Sequence, residues 1–363
     1  LLTPQKRYNL WTSGDYRFTD SLRAYFEGSY MNRKSDQKLA PTPLFIITEG
    51  ITIDSTNVHN PFGRDFIDVR RRMVEASNRN YRQDLDTMRL VVGLDGQLPE
   101  MGALVDWEWD FHINFGRTEG LNINEGRFVR SKVIRALGPD ADCTGDCVPL
   151  NLFGGPGTIT PDQLAYISYT GIARGYTEQR IANLSFNGPL FEIMAGNPVG
   201  LAFGYEHRAE KGGYLPDPIT RVGDTTGNKE EATKGKYSVH EGFAELNIPL
   251  FGGITGVELF EVNAAARAFN YDTFGSDFTY KFGARWQIMD FLAARGTFSS
   301  AFRAPSVSEL FSGNADSFPE VSDPCDTSEG QTANAAANCA ADGVPTTFTD
   351  PSDQIRTNVG GNP

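Results

Sequence analysis

The stretch "ALVDWEWDFHINF", residues 103–115, decides the fold. Ala103, Val105, Trp107, Trp109, Phe111, Ile113 and Phe115 are apolar, while Asp106, Glu108, Asp110, His112 and Asn114 between them are polar or charged. A strict two-residue period marks a β-strand with one face in an apolar medium and the other in water. At 39% hydrophobic content, seven apolar residues in seven alternate positions arise by chance in roughly one window in a thousand. A strand over 103–116 is therefore expected. Trp107, Trp109, Phe111, Ile113 and Phe115 belong on its apolar side, Ala103 and Val105 near its lower end, and Asp106, Glu108, Asp110, His112 and Asn114 on its wet side.

Outward from this ribbon the same alternation recurs in 7–16, 21–32, 81–94, 178–188, 199–211, 236–249, 258–271, 277–288 and 291–300. The last three set Arg267, Arg285 and Arg295 on polar faces, against Phe260 to Ala268, Phe278 to Ile288 and Leu292 to Phe298. Connections alternate in length. Those around 17–20, 95–102, 188–198, 251–256 and 287–290 are short; those at 33–80, 117–177, 212–235 and 301–363 are long, with 272–276 the exception. Strands of about ten residues with short turns at one end and long loops at the other are the pattern of an up-and-down transmembrane β-barrel. A soluble β-sandwich or propeller predicts shorter strands and no such parity.

Composition permits this fold without requiring it. Aromatics stand at 12%, with 38 glycines and 25 phenylalanines, as suits β structure rich in turns. No run of about 18 apolar residues is present, which excludes a membrane-spanning helix and leaves spanning strands open. The net charge of −13 argues against nucleic acid as a partner, since phosphate neutralisation needs a dense basic surface. Cys143 and Cys147 lie in "CTGDC", and Cys325 and Cys339 are fourteen positions apart. Each pair sits in a loop-like stretch, which suggests two local disulfides in an oxidising compartment; zinc is the competing reading, weakened by the lack of a nearby histidine. The string "TPDQLAYI" in 117–177 predicts a short helix behind a threonine cap and a proline. "DFIDVRRRMVEASNRN" suggests a second short helix, whose Arg70, Arg71 and Arg72 would attract an anion or lipopolysaccharide, or form a solvated basic face. Asp106, Glu108 and Asp110 line a hydrated interior in one reading and form a ligand site in the other.

The most specific string is "SAFRAPSVSELF", residues 300–311. Phe302, Arg303, Ala304, Pro305, Ser306, Glu309 and Leu310 resemble a signature of TonB-dependent outer-membrane receptors. The approach "RWQIMDFLAARGTFSSAFRAPS" is similar to the same region of that family, as are 60–96, 143–167 and 323–345, and "GNP" at 361–363 resembles the start of another family motif. Arg303 shares the parity of Arg295, so it is expected to point inward and anchor the loop base or a plug.

The resemblance implies the middle of a plugged barrel of about 22 strands, with the plug domain absent from this chain, whose two ends read as cuts. It further implies a bacterial outer-membrane receptor that binds a scarce nutrient at its mouth and imports it with energy from a TonB-type coupling protein. Outer-membrane lipid and lipopolysaccharide would surround it, and no cofactor or resident metal is expected. The ligand would be an oligosaccharide, a peptide or a ferric siderophore. A passive porin, a surface adhesion barrel and a soluble glycan-binding protein are the alternatives. No GxSxG, HExxH, P-loop or local Cys/His dyad is present, so no enzyme is expected.

Overall fold

The computed structural model describes residues 3–102, 104–194, 196–320, 322–328, 330–349 and 357–360. Ala103 and the "GNP" at 361–363 lie outside the described residues. In chain order the strands are β1 (Gln5–Thr19), β2 (Leu22–Leu39), β3 (Pro43–Phe45), β4 (Arg70–Arg72), β5 (Arg79–Gln97), β6 (Glu108–Phe128), β7 (Ser168–Met194), β8 (Asn197–Leu215), β9 (Thr233–Ile254), β10 (Val257–Tyr271), β11 (Gly275–Met289), β12 (Leu292–Ser299), β13 (Asn314–Ser317) and β14 (Thr357–Gly360). The helices are α1 (Arg130–Leu137), α2 (Pro161–Ile167), α3 (Pro218–Val222), α4 (Val307–Phe311) and α5 (Ala333–Ala341).

Ten strands form one antiparallel sheet in the order β1-β2-β5-β6-β7-β8-β9-β10-β11-β12. Every member is hydrogen-bonded to its sequence neighbour in the wall, the topology that short turns permit and parallel pairing forbids. Register fixes the faces. Arg23 lies opposite Asp95, Asp95 opposite Asp110 and Asp110 opposite Ser185, so the polar sides of four strands share one surface. On the other surface Phe26, Val92, Ile113 and Ala182 lie in a row. Val92 and Ile113 are just over half exposed, at 53% and 52%. A band of such residues across the whole sheet far exceeds the apolar patches soluble proteins tolerate.

The strands are longer than the alternation of apolar residues suggests. β6 has 21 residues, β7 has 27 and β9 has 22, about twice what a bilayer crossing needs. The long connections are correspondingly shorter and span 40–78, 129–167 and 216–232. Above the apolar band both faces become polar, as at Arg117 and Thr118, so hydrogen-bonded ladder continues where the hydrophobic period has stopped. β7 and β8 also run down through 188–198, with register shifts near Glu192, to a tight turn.

The opening ribbon starts later than its sequence pattern predicts. β6 begins at Glu108; Met101 and Leu104 form an isolated bridge, and Asp106 takes a left-handed backbone conformation, φ 56°. That bend ends the strand but leaves Trp107 on the apolar side, its ring 5.9 Å from that of Phe203. Val105 lies in the connection, Asp106 is exposed in the turn rather than on the wall, and Trp107 is on the apolar side but covered. The Trp107 indole Nε1 donates to the Pro189 carbonyl at 3.0 Å. Its ring occupies the space a side chain at position 188 would need, since a Cβ on Gly188 would stand 2.6 Å away.

At the opposite end the loops 40–78 and 129–167 fold together. Leu44, Ile46, Ile53, Met73, Phe128, Val133, Leu137, Leu150 and Ile167 bury almost completely in one apolar core. α2 forms where the threonine and proline predict it, with a capping box between Thr160 and Gln163. The helix expected around "DFIDVRRRMVEASNRN" is absent. Arg70–Arg72 is instead a strand paired with Pro43–Phe45, followed by a single 3-10 turn at Val74–Ala76.

Candidate functional site

The polar face of the sheet is a mosaic of cross-strand pairs. Arg23 grips Asp95 with two nitrogens, at 3.0 and 2.5 Å. The Tyr25 hydroxyl donates to Asp110 at 2.6 Å, and His112 Nδ1 lies 2.6 Å from the other oxygen of the same carboxylate. Further round, Arg267 meets Glu241 at 2.8 Å, Lys281 meets Glu245 at 2.9 Å and Arg285 meets Glu261 at 3.2 Å. Arg295 stands opposite Arg285 on the same face. Glu108 shares this face at its lower rim, where Asn187 donates to it at 3.3 Å.

Six of the seven charged residues assigned to the wet side therefore lie on one surface; Asp106 does not. Because opposite charges meet between strands, the surface is close to locally neutral rather than a concentrated anionic centre. The three carboxylates of the opening ribbon are separated by this geometry: Asp106 is in the turn, Glu108 at the rim and Asp110 engaged by Tyr25 and His112. Among the described residues no group of three or more His, Cys, Asp or Glu is placed to hold a metal ion.

The segment carrying "FRAPS" folds back onto the upper part of this polar face. Phe302 stacks on Phe269 with ring centres 4.6 Å apart. Ala304, Val307 and Leu310 pack against Tyr237, Val239, Phe269 and Tyr271. Pro305 directs the chain into α4, whose cap is Ser306, with Glu309 completing a capping box. Arg303 holds Glu309 through two nitrogens at 3.0 and 2.9 Å. That double contact comes first, and the Ser306 amide and hydroxyl second, in holding the Glu309 carboxyl down to about 2. Arg303 is thus an exposed intrasegment clasp that keeps the α4 turn shaped as it lies on the wall. The aromatic platform of Tyr237, Phe269 and Tyr271 went unrecognised in the sequence, although its signal was there: apolar residues in β9 and β10 on the parity otherwise held by charges.

Above the wall, the loop core is tied together by Arg71. Its guanidinium is mostly buried, donating to the carbonyls of Asn151, Gly154 and Gly155 and meeting Glu75 at 2.6 Å. Burial raises the Glu75 pKa, but amides including that of Gly157, together with the Arg71 charge, outweigh it and hold the carboxyl below its ordinary value. Arg72 donates to the Pro41 carbonyl and Arg70 pairs with Asp68. All three arginines are therefore engaged within the loops, not arrayed as a free anion-binding face. Cys143 and Cys147 are bonded within this cap, and Cys325 and Cys339 are bonded in the later segment. The disulfide reading of the four cysteines holds, and zinc is set aside.

The result is a sheet with a wet face and an apolar face, crowned at one end by a packed loop body. No curated protein matches the chain. The family model described as TonB dependent receptor-like, beta-barrel matches residues 8–351, nearly the full length. The chain belongs to the TonB-dependent receptor β-barrel family, whose members are receptors typical of the bacterial outer membrane.

Proposed function

We propose that this chain forms wall and mouth of a bacterial outer-membrane receptor that imports a scarce nutrient, with energy delivered by a TonB-type coupling protein. The observation that carries the reading is the asymmetry of the sheet. One face is apolar and exposed, as lipid contact requires; the other is charged and paired, as a hydrated interior requires; and one end alone bears a folded loop body. Ligand selectivity lies in the loops, and the wall supplies a polar path that holds no solute tightly. A sizeable organic ligand, an oligosaccharide, a peptide or a ferric siderophore, fits a mouth framed by loop segments of this extent. Transport of this kind involves no covalent chemistry and calls for neither cofactor nor catalytic residue. Lipid and lipopolysaccharide are the surroundings of the apolar face.

The test is uptake. Deleting the gene should abolish growth on one candidate nutrient, and the intact gene should restore it only in cells that retain the coupling protein and a proton gradient. Restoration in cells lacking the coupling protein would make the barrel a passive channel. Recovery of the native protein in the aqueous fraction without detergent would remove the membrane assignment.

A further inference from the structure

Two neighbouring strands of the wall carry a polar face unlike the rest. On that face β6 presents Asn114, Gly116, Thr118, Gly120 and Asn122, and beside them β7 presents Asn183, Ile181, Gln179, Thr177, Gly175 and Ala173. The lane so formed runs roughly 33 Å along the strands, and every side chain at these positions is uncharged. Composition does not account for this, because the same stretches place Arg117, Glu119, Arg174, Glu178 and Arg180 on the opposite face. Height in the wall does not account for it either. At matching register the flanking strands bear Arg89 on β5 and Glu206, Arg208 and Glu210 on β8. Arg89 turns away to Glu27 at 3.1 Å, and Arg208 lies 3.8 Å from both Glu210 and Glu241. Glu206 stands opposite Asn183 at the lower edge of the lane, where Asp110 and His112 close it.

What the lane offers is amide and hydroxyl. The Thr118 and Thr87 hydroxyls lie 3.0 Å apart, Gln179 donates to Glu210 at 3.1 Å, and Thr177 is exposed. A Cβ on Gly116 would meet nothing within 4 Å, so the surface is open there. Three amides have bonding capacity unused. Asn183 is 9% exposed, and its side chain has no hydrogen-bond partner among the described residues. The Oδ1 atoms of Asn114 and Asn122 are buried without one. Such atoms are costly to leave unpaired, and register places all three residues on the polar face. The upper end of the lane lies beneath the loop body, since the connection 129–167 that joins its two strands supplies Val133, Leu137 and Leu150 to the loop core.

We propose that this lane carries a neutral, polyhydroxylated solute, a short oligosaccharide without carboxylate or phosphate groups, from the loop body into the interior. Amides and hydroxyls both donate and accept, as sugar hydroxyls do, so contacts are exchanged one at a time along the track. A charged solute finds no fixed counter-charge within it, and selectivity in a wall of this kind follows from the groups that line it. The inference rests on the receptor reading given above and narrows its ligand, favouring a neutral oligosaccharide over a charged peptide or a ferric siderophore.

The experiment uses cells expressing the full-length receptor, supplied with short neutral oligosaccharides, short uronic-acid oligosaccharides and a ferric hydroxamate complex together. Depletion of each is followed by mass spectrometry against a strain with the gene deleted. The wild type should deplete a neutral oligosaccharide about tenfold faster than any charged or ferric solute. Asn114→Arg combined with Thr177→Arg should bring that ratio close to one, with the receptor reaching the outer membrane in unchanged amount. Asn114→Gln combined with Thr177→Ser keeps the lane uncharged and should keep the preference, as should Thr297→Arg, which adds the same charge beside Arg295 on the polar face of β12. Depletion confined to uronic-acid or ferric solutes, depletion of no neutral oligosaccharide, or an equal loss of preference in Thr297→Arg overturns the lane. Cells lacking the coupling protein keep the two readings apart. Preferential depletion of neutral oligosaccharide in those cells defeats energised import and supports the lane, whereas coupling-dependent import without that preference defeats the lane alone.

Discussion

The loop body and the strand wall are built on opposite rules. In the loops, Phe128, Met73, Leu137 and Ile53 are sealed from any solvent, and polar groups are either on the surface or, like Arg71, fully engaged. That is the construction of a small soluble protein. In the wall the large apolar side chains point outward and the charges line the other face, while cohesion comes from an unbroken backbone ladder and cross-strand pairs. The difference teaches that one chain meets two solvents. Where water surrounds the chain on all sides it buries its apolar groups; where lipid lies on one side it exposes them.

The strongest way to break this comparison is to remove a large group from the loop core. Phe128→Ala should destabilise the loop body by about 4 kcal/mol, read as early loss of protection from hydrogen exchange in 44–73 and 133–167 while the wall stays protected. An equal loss of protection in β10 and β11 would make the two regions a single cooperative unit. Next comes the apolar face: Ile113→Arg should cost about 3 kcal/mol in bilayers, measured by denaturant unfolding in lipid. Asn114→Arg, one residue away on the other face, should stay below about 0.5 kcal/mol. Equal costs would remove the two-solvent distinction.

A smaller effect is expected from the cap's disulfide. Cys143→Ser with Cys147→Ser closes no loop and should lower loop-body stability by about 2 kcal/mol, since the ring it opens is short. The smallest effect is local and depends on pH. Because Glu309 is held at about 2, below its ordinary 4.5, the clasp with Arg303 contributes fully above the ordinary value and is lost as pH falls through about 2. Protection of the α4 amides should therefore persist at pH 4 and vanish near pH 2, and Arg303→Gln should shift that loss to higher pH.

How much of this was legible in the sequence follows from the same contrast. Period-two alternation located every wall strand, because a lipid-facing side must be apolar at each second residue. The parity of long and short connections and the strings around Phe302 to Leu310 pointed to the right family. The upper halves of β6, β7 and β8 were not legible: with water on both sides, Arg117 and Thr118 carry no alternation to read. The bend at Asp106 was hidden for another reason. A left-handed residue ends a strand without changing its composition, and so Asp106 leaves the wall while Trp107, still on the apolar side, folds over Gly188 and is covered. Arg70, Arg71 and Arg72 are identical in sequence; only the carbonyls of 151–155, about eighty residues away, make the middle one structural.

The height of the wall has a mechanical consequence. From Arg117 to Phe128, β6 runs roughly 36 Å along the strand beyond the apolar band, a height of roughly 27 Å at a barrel tilt of about 40°. The mouth is thus mounted at the end of a long arm whose fulcrum is the ring of lipid headgroups. A tilt of only about 5° at that fulcrum displaces the loop core by roughly 2 Å at this height. A small change of inclination low in the wall is thus enlarged at the loop core without altering the wall's own hydrogen bonds.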